Sequence, residues 1–380
     1  MTNTILSRPF VHCVVRCSVL LLMAALLLGL ALSHAQSTQA AGVVGTGTPQ
    51  SCTESAFDMA LAGGGVVTFN CGAAPQTIVL SSEKIISFTA SVDGGGLITF
   101  SGGHTTRLFN VQAGGTLTLT NLTLTAGNAG ASNGGAIAIG AAGTVALTNV
   151  TLSDNSAAAG AGIYNMSGSA MLLNVTLSGN AASGSGGGLF VGSGPVTMGT
   201  TQLINVTFSG NTAANGGGLH DFCTGVTLVN VTLRGNSASA SGGGLSAAST
   251  CPTYPNRIGA VSSLSLRNSV VADSPAGGNC SAGSVPISSS GFNLSDDSTC
   301  VSYFNQPGDR NNSNAMLNSL ANNGGPTQTH LPQPGSPLID HGTNLGCPPA
   351  DQRGVKRPQG QACDMGAVEV IELFLPLIRR

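Results

Sequence analysis

Five copies of one phrase between residues 121 and 244 limit what this chain can fold into. Each copy opens with asparagine, an aliphatic residue and threonine, places a second asparagine six or seven residues on, and closes on glycine. The first reads Asn121-Leu122-Thr123 with Asn128 and Gly134-Gly135; the second reads Asn149-Val150-Thr151 with Asn155 and Gly160. Asn174-Val175-Thr176 with Asn180 and Gly186, Asn205-Val206-Thr207 with Asn211 and Gly216, and Asn230-Val231-Thr232 with Asn236 and Gly242 complete the set. The spacing of the leading asparagines belongs to repeat units that cannot bury an apolar face alone and must stack.

Within Leu147-Thr148-Asn149-Val150-Thr151-Leu152 aliphatic and threonine positions alternate around the asparagine, the two-residue period of a strand with one buried face. Helix is excluded by that period and by the glycine density. A second short strand follows each glycine cluster, at Ile137-Ala-Ile, Ile163-Tyr-Asn, Leu189-Phe-Val, Leu219-His-Asp and Leu245-Ser-Ala. Two or three short strands in every repeat, with no helix between them, predict an all-β chain wound as a parallel β-helix. Asparagine is a poor strand residue, so its recurrence calls for a reason. Stacked about 4.8 Å apart at a corner, amides at Asn121, Asn149, Asn174, Asn205 and Asn230, and again at Asn155, Asn180, Asn211 and Asn236, can donate and accept along the axis as a structural ladder. The expectation is that Asn174, Asn205 and Asn230 are buried. Asn-x-Thr is also an N-glycosylation acceptor, but recurrence in one register is what a ladder requires.

Before the repeats, Gly64 to Val111 holds short strands broken by glycine and aspartate, read as the first coils. Glu54 to Leu61 has helical spacing with Thr53 as N-cap, and a helix there would plug the open end against strand addition. Residues 258 to 294 are read as one or two further coils, with Leu264 to Asn268 the last recognisable strand; past Cys300 the chain turns to Pro, Asn and Gly.

At the amino end, Arg8 and Arg16 precede an apolar run from Val19 to Leu32 that ends at Ser33-His34-Ala35. This reads as a signal peptide over residues 1–35, with mature protein from Gln36; the run is shorter than the roughly twenty residues that span a bilayer. The remaining cysteines, Cys52, Cys71, Cys223, Cys251, Cys280, Cys300, Cys347 and Cys363, fall as four neighbouring pairs, expected as local disulfides in an oxidising compartment. Spacings for a metal site are absent, and no cofactor is expected. With only 7% charged residues and a net charge of −2, the chain lacks the basic stripe that nucleic acid requires.

Gly134-Gly135-Ala136-Ile137 and Phe208-Ser-Gly-Asn211 resemble the paired motifs of polymorphic outer membrane protein repeats. Gly291-Phe-Asn-Leu, Asn322-Asn-Gly-Gly-Pro-Thr-Gln-Thr-His330, Ser336-Pro-Leu-Ile-Asp340, Asp351-Gln-Arg-Gly354, Arg357-Pro358 and Cys363-Asp-Met-Gly-Ala-Val-Glu369 together resemble the bacterial surface proteins called choice-of-anchor Q. The resemblance implies a secreted, right-handed parallel β-helix over 36–300, a closing segment over 301–370, and surface attachment; it supplies no activity. The apolar tail, 371–380, is read as a final strand, with a sorting signal as the alternative.

Hydrolysis or elimination of polysaccharides needs paired carboxylates, or calcium-binding acids with a base. From 115 to 250 the formal charges are Asp154, Asp221 and Arg234, too sparse for either. Acids gather in the tail at Asp340, Asp351, Asp364, Glu369 and Glu372, beside His341, Arg353 and Arg357, and read best as ion pairs locking a cap. One column stands out: counted from the glycines, Tyr164, Phe190 and His220 share a register on successive coils and are the candidate ligand-binding residues. The reading is therefore a secreted cell-surface scaffold, adhesin-like or envelope-associated, whose partners are envelope components, glycans or another cell's surface. A β-helix polysaccharide lyase or glycoside hydrolase is the alternative.

Overall fold

The computed structural model describes residues 42–194, 199–248, 250 and 263–371. The expected signal peptide and mature start, Cys251, Glu372 and the last residues of the apolar tail lie outside them. The described chain is a right-handed parallel β-helix of about nine turns. Three parallel sheets of fourteen, eight and four strands form its walls. Ten strands follow one another in chain order along the longest sheet, among them Thr116–Thr125, Thr144–Ser153, Ser169–Ser178 and Thr201–Ser209. The second sheet contains the short strands anticipated after each glycine cluster: Ile137–Ile139, Ile163–Met166, Leu189–Gly192, Leu219–Phe222 and Leu245–Ala247. Leu264–Arg267 is not the last strand; Val270–Ala272, Cys280–Ser281, Ile287–Ser289 and Leu294–Ser295 extend the coils, with serine and cysteine replacing the aliphatics that mark earlier ones.

Each leading asparagine bends a long strand. Asn121, Asn149, Asn174, Asn205 and Asn230 all have φ between 52° and 57°, a left-handed conformation that asparagine tolerates better than branched residues. The bend resets the alternation, so Leu147 and Val150, three apart, both point inward. Glycine makes the next corner. Gly186 has φ 70°, and a Cβ on Gly187 would collide with the carbonyls of Gly217 and Thr212; coils meet there backbone to backbone. One apolar core runs without a break from Val44 to Phe304.

At the amino end the anticipated helix spans Glu54–Leu61, and Thr53 Oγ1 accepts from Ala56 N at 3.2 Å. Its buried Phe57 meets Phe100 at 4.6 Å between ring centres. Lys84, almost fully buried, reaches Glu54 at 2.6 Å and Asp58 at 2.7 Å, tying the helix to the second sheet. Burial would raise the Glu54 carboxyl, but Lys84 and the Ser81 donors outweigh it and bring it down to about 2.

The asparagines form two ladders of opposite polarity, not one. At the bend, Asn149 Nδ2 donates to Asn121 Oδ1 (2.9 Å), Asn174 Nδ2 to Asn149 Oδ1 (3.2 Å) and Asn205 Nδ2 to Asn174 Oδ1 (3.3 Å), while Asn121 Nδ2 ends the series on Asp93 Oδ1 (3.1 Å). Inside the wall, Asn155 Nδ2 donates to Asn180 Oδ1, Asn180 Nδ2 to Asn211 Oδ1 and Asn211 Nδ2 to Asn236 Oδ1, each at 2.8 Å. These four are fully buried. Expected burial is corrected for Asn174, which is half-exposed, whereas Asn205 and Asn230 are buried. The bend ladder also breaks between the last two: Asn230 Nδ2 turns to the carbonyls of Asp364 and Gly366, and Asn205 Oδ1 is left without a partner.

The closing segment causes that break: its first residues pack against the end of the core through Phe304, and the rest leaves that end. It folds back along the flank, over the asparagine bends of four coils. Asn205 Nδ2 donates to Ala350 O (2.8 Å), Asn268 Nδ2 to Thr343 O (2.9 Å), and Thr176 Oγ1 to Gln328 O (2.6 Å). Buried Gln352 is the central fastener: it accepts from Thr207 Oγ1 (2.7 Å) and donates to Thr176 Oγ1 (2.8 Å) and Thr327 Oγ1 (2.9 Å). The threonines of the last three Asn-x-Thr triplets, Thr176, Thr207 and Thr232, thus hold the strap, Thr232 Oγ1 accepting from Ala367 N at 3.0 Å. Disulfides join Cys52 to Cys71, Cys280 to Cys300 and Cys347 to Cys363, with Cα–Cα distances of 5.7, 5.1 and 6.6 Å. The expected Cys223–Cys251 bond involves a residue outside the described ones. No helix among the described residues is long and apolar enough to cross a membrane.

Candidate functional site: a cleft at the end of a ring ladder

On the second sheet Tyr164, Phe190 and His220 are in register, followed by Ser246 and Ser281. Alternation turns Leu189 and Leu219 into the core, so these side chains stand on the outer face. Tyr164 and Phe190 stack at 4.9 Å, and Phe190 and His220 at 5.5 Å, with planes 16° and 22° apart. Two residues on in each strand a second outer column carries Met166, Gly192, Phe222 and Ala248. Gly192 leaves room for the ring of Phe190, which a Cβ there would meet at 2.8 Å, and the Phe222 ring lies 6.4 Å from that of Phe190 and nearly parallel to it.

The three rings do not form a continuous accessible strip. Phe190 is 9% exposed and His220 8%, because each ring covers its neighbour's face. Surface opens where the ladder stops. The next two coils carry serine in the ring column, and the outer face drops from the rings of His220 and Phe222 to a floor at Ser246, Ala248, Ser281 and Gly283. Asn215 and Ser241 stand at the side, joined by a bond from Ser241 Oγ to Asn215 Oδ1 (2.9 Å). The resulting cleft has a volume of about 440 Å³, within the usual range for small-molecule sites.

Its described lining is neutral. None of the described lining residues is Asp, Glu, Lys or Arg. Burial lowers the His220 imidazole to about 4, so it is uncharged at neutral pH, with Nδ1 3.3 Å from Ser246 Oγ. Burial likewise raises the Tyr164 phenol, although a hydrogen bond with Asn133 acts the other way. His220 and Asp221 are no dyad. Asp221 points to the opposite face, where Oδ1 accepts from Thr224 N (3.0 Å) and Thr224 Oγ1 (2.6 Å) and pins a turn.

Carboxylates of the closing segment are engaged in holding loops. Arg357 and Glu369, both fully buried, pair at 3.1 Å, and Arg357 also donates to the carbonyls of Asp364 and Gly366. Asp351 binds Arg353 at 2.8 Å and accepts from the backbone of Val355 and Glu369. Asp340 Oδ1 accepts from Ala362 N, and His341 Nδ1 lies against Ile339 O. Burial, assisted by Glu369, lifts the Asp364 carboxyl to about 7. Groups of three or more metal-ligating side chains do not occur among the described residues.

Sequence reasoning missed Phe222, the serine step and Gln352. Phe222 was legible as the residue two beyond His220, and the step as the change from rings to serine at 246 and 281. Gln352 stood out only as part of the Asp351-Gln-Arg-Gly354 motif, since nothing local shows what a tail residue will meet 145 positions away. Comparison with protein-family models, with curated proteins and with solved structures finds no match.

Proposed function

We propose that this is a secreted, cell-surface β-helix of the choice-of-anchor Q kind, an adhesin-like or envelope-associated scaffold that binds glycans or another cell's surface through the cleft beside His220. The stopped ring ladder carries the reading: an aromatic wall meets a floor of small residues and hydroxyl groups, surfaces on which sugars and loops of partner proteins pack. Three disulfides fit an oxidising, extracellular setting. Against the lyase or hydrolase alternative, the described lining of the cleft has no carboxylate to act as acid or base, and the acids of the strap are held by guanidinium and backbone groups. Adhesion of cells displaying the protein to glycan-coated surfaces tests the reading. Replacing Phe222 with alanine should weaken attachment at unchanged circular dichroism. Reducing-sugar release or unsaturated product, lost on substitution of a single acid, would establish the enzyme instead.

A further inference from the structure

Resting on the cleft as the binding site, we infer that its ligand is an uncharged saccharide, one ring of which packs against the end of the ladder as the next rung. Three observations carry this. Neighbouring ring planes along the column lie within about 22° of each other, so the last rings present a face along the solenoid axis. Ser246 and Ser281 vacate the next two places in the same column, and coils about 4.8 Å apart leave space for a ring at van der Waals distance. No charged side chain lines the described cleft. A uronate or sialate carboxylate entering it would shed water and meet no counter-charge among the described lining residues, a costly transfer. Sugar hydroxyls, by contrast, would exchange water for the side chains of Asn215 and Ser241 at the side and Ser246 on the floor. Burial keeps His220 neutral down to about pH 4, so the wall stays apolar at ordinary pH.

The experiment is calorimetric titration of the full chain at pH 7 with cellohexaose, maltohexaose, xylohexaose and mannohexaose as neutral probes, and with hexagalacturonate and sialyllactose as acidic ones. At least one neutral probe should saturate, while the acidic probes bind about tenfold more weakly or not at all. Ser246→Phe, which would add the missing ring and fill the step, should weaken neutral binding by about tenfold or more, with the melting temperature maintained. Should Ser246→Phe fold poorly, Ala248→Leu fills the floor two residues on, in the second outer column, and serves the same purpose. An acidic probe bound more tightly than every neutral one, no saccharide bound at all, or neutral binding indifferent to both filled variants would each overturn the inference. Cell attachment that persists through Phe222-dependent contact while no saccharide binds would overturn the saccharide and leave the scaffold reading standing.

Discussion

Asn180→Ala tests the interior ladder most directly. Asn180 Oδ1 accepts from Asn155 N (3.2 Å) and Asn155 Nδ2 (2.8 Å), and its amide donates to Leu152 O (3.0 Å) and Asn211 Oδ1 (2.8 Å). Alanine removes all four bonds. Asn155 Nδ2 retains Leu124 O, and Asn211 Oδ1 retains the backbone N–H of residue 180, so those two groups are only weakened. Asn155 N–H loses its acceptor in a fully buried site. One orphaned buried group costs about 1–3 kcal/mol and a lost bond about 0.5–1.5 kcal/mol, so the variant should lose about 3 kcal/mol. Asn149→Ala is the control: half-exposed Asn149 can be replaced by water, and the change adds mainly the cost of φ 57° on alanine, about 1 kcal/mol. Urea unfolding followed by circular dichroism measures both, provided the m-values agree with wild type. Because coils of a solenoid unfold with nearest-neighbour coupling, amide exchange at residues 150–182 gives a local check. Equal losses in the two variants, or a loss below about 0.5 kcal/mol for Asn180→Ala, would show that the buried amides do not carry the coil.

Gln352→Leu leaves the Thr207 hydroxyl without its buried acceptor, at about 1–3 kcal/mol, and should speed tryptic cleavage at Arg353 and Lys356 while the coils persist; an unchanged cleavage rate would refute the fastener role. The His220 imidazole falls from 6.5 to about 4 on folding, so the unfolded chain binds the extra proton, and the stability this histidine contributes is present above pH 6.5 and lost as pH falls towards 4. That linkage is worth about 3 kcal/mol, and the stability difference between wild type and His220→Gln should change by that amount from pH 7 to pH 4; parallel pH profiles would exclude it. Non-reducing peptide mapping should recover 52–71, 280–300 and 347–363 together with 223–251, and replacing both Cys52 and Cys71 by serine should cost about 3 kcal/mol. Crosslinked peptides from distant pairs would contradict the local pattern.

What could be read in advance depended on whether a residue's partner was its own repeat. Leu147 and Val150 announce a buried face, Asn149 a bend and Gly186-Gly187 a close approach, because stacked copies meet copies of themselves. Even Asp93, one repeat length before Asn121, was recoverable as the ladder's terminus from its spacing. Burial of Asn205 and Asn230 was not, since it is imposed by a strap whose contacts are 134 to 145 residues distant. The register of the ring column is legible from the glycines, yet its accessibility depends on how Phe190 is shaded by Tyr164 and His220, which a register alone does not report.

The opposed polarity of the two asparagine ladders bears on how such a chain can change its length. Every interior rung both gives and receives, so one rung substitutes for another, whereas the ends are unlike: Asp93 can only receive, and Asn236 returns its amide to the backbone of Phe208 and Arg234. A further copy of the repeat is therefore accommodated between existing rungs and not beyond them. The strap narrows the choice again, because it is matched to the coils of Asn174, Asn205, Asn230 and Asn268 and would be put out of step by an insertion there. Duplication between Asn121 and Asn174 leaves both ladders continuous and keeps the strap's hydrogen bonds from Asn174 onward in register. The amino-terminal half is thus the part of the molecule free to lengthen, setting how far the cleft stands from the helix-plugged end while its chemistry stays the same.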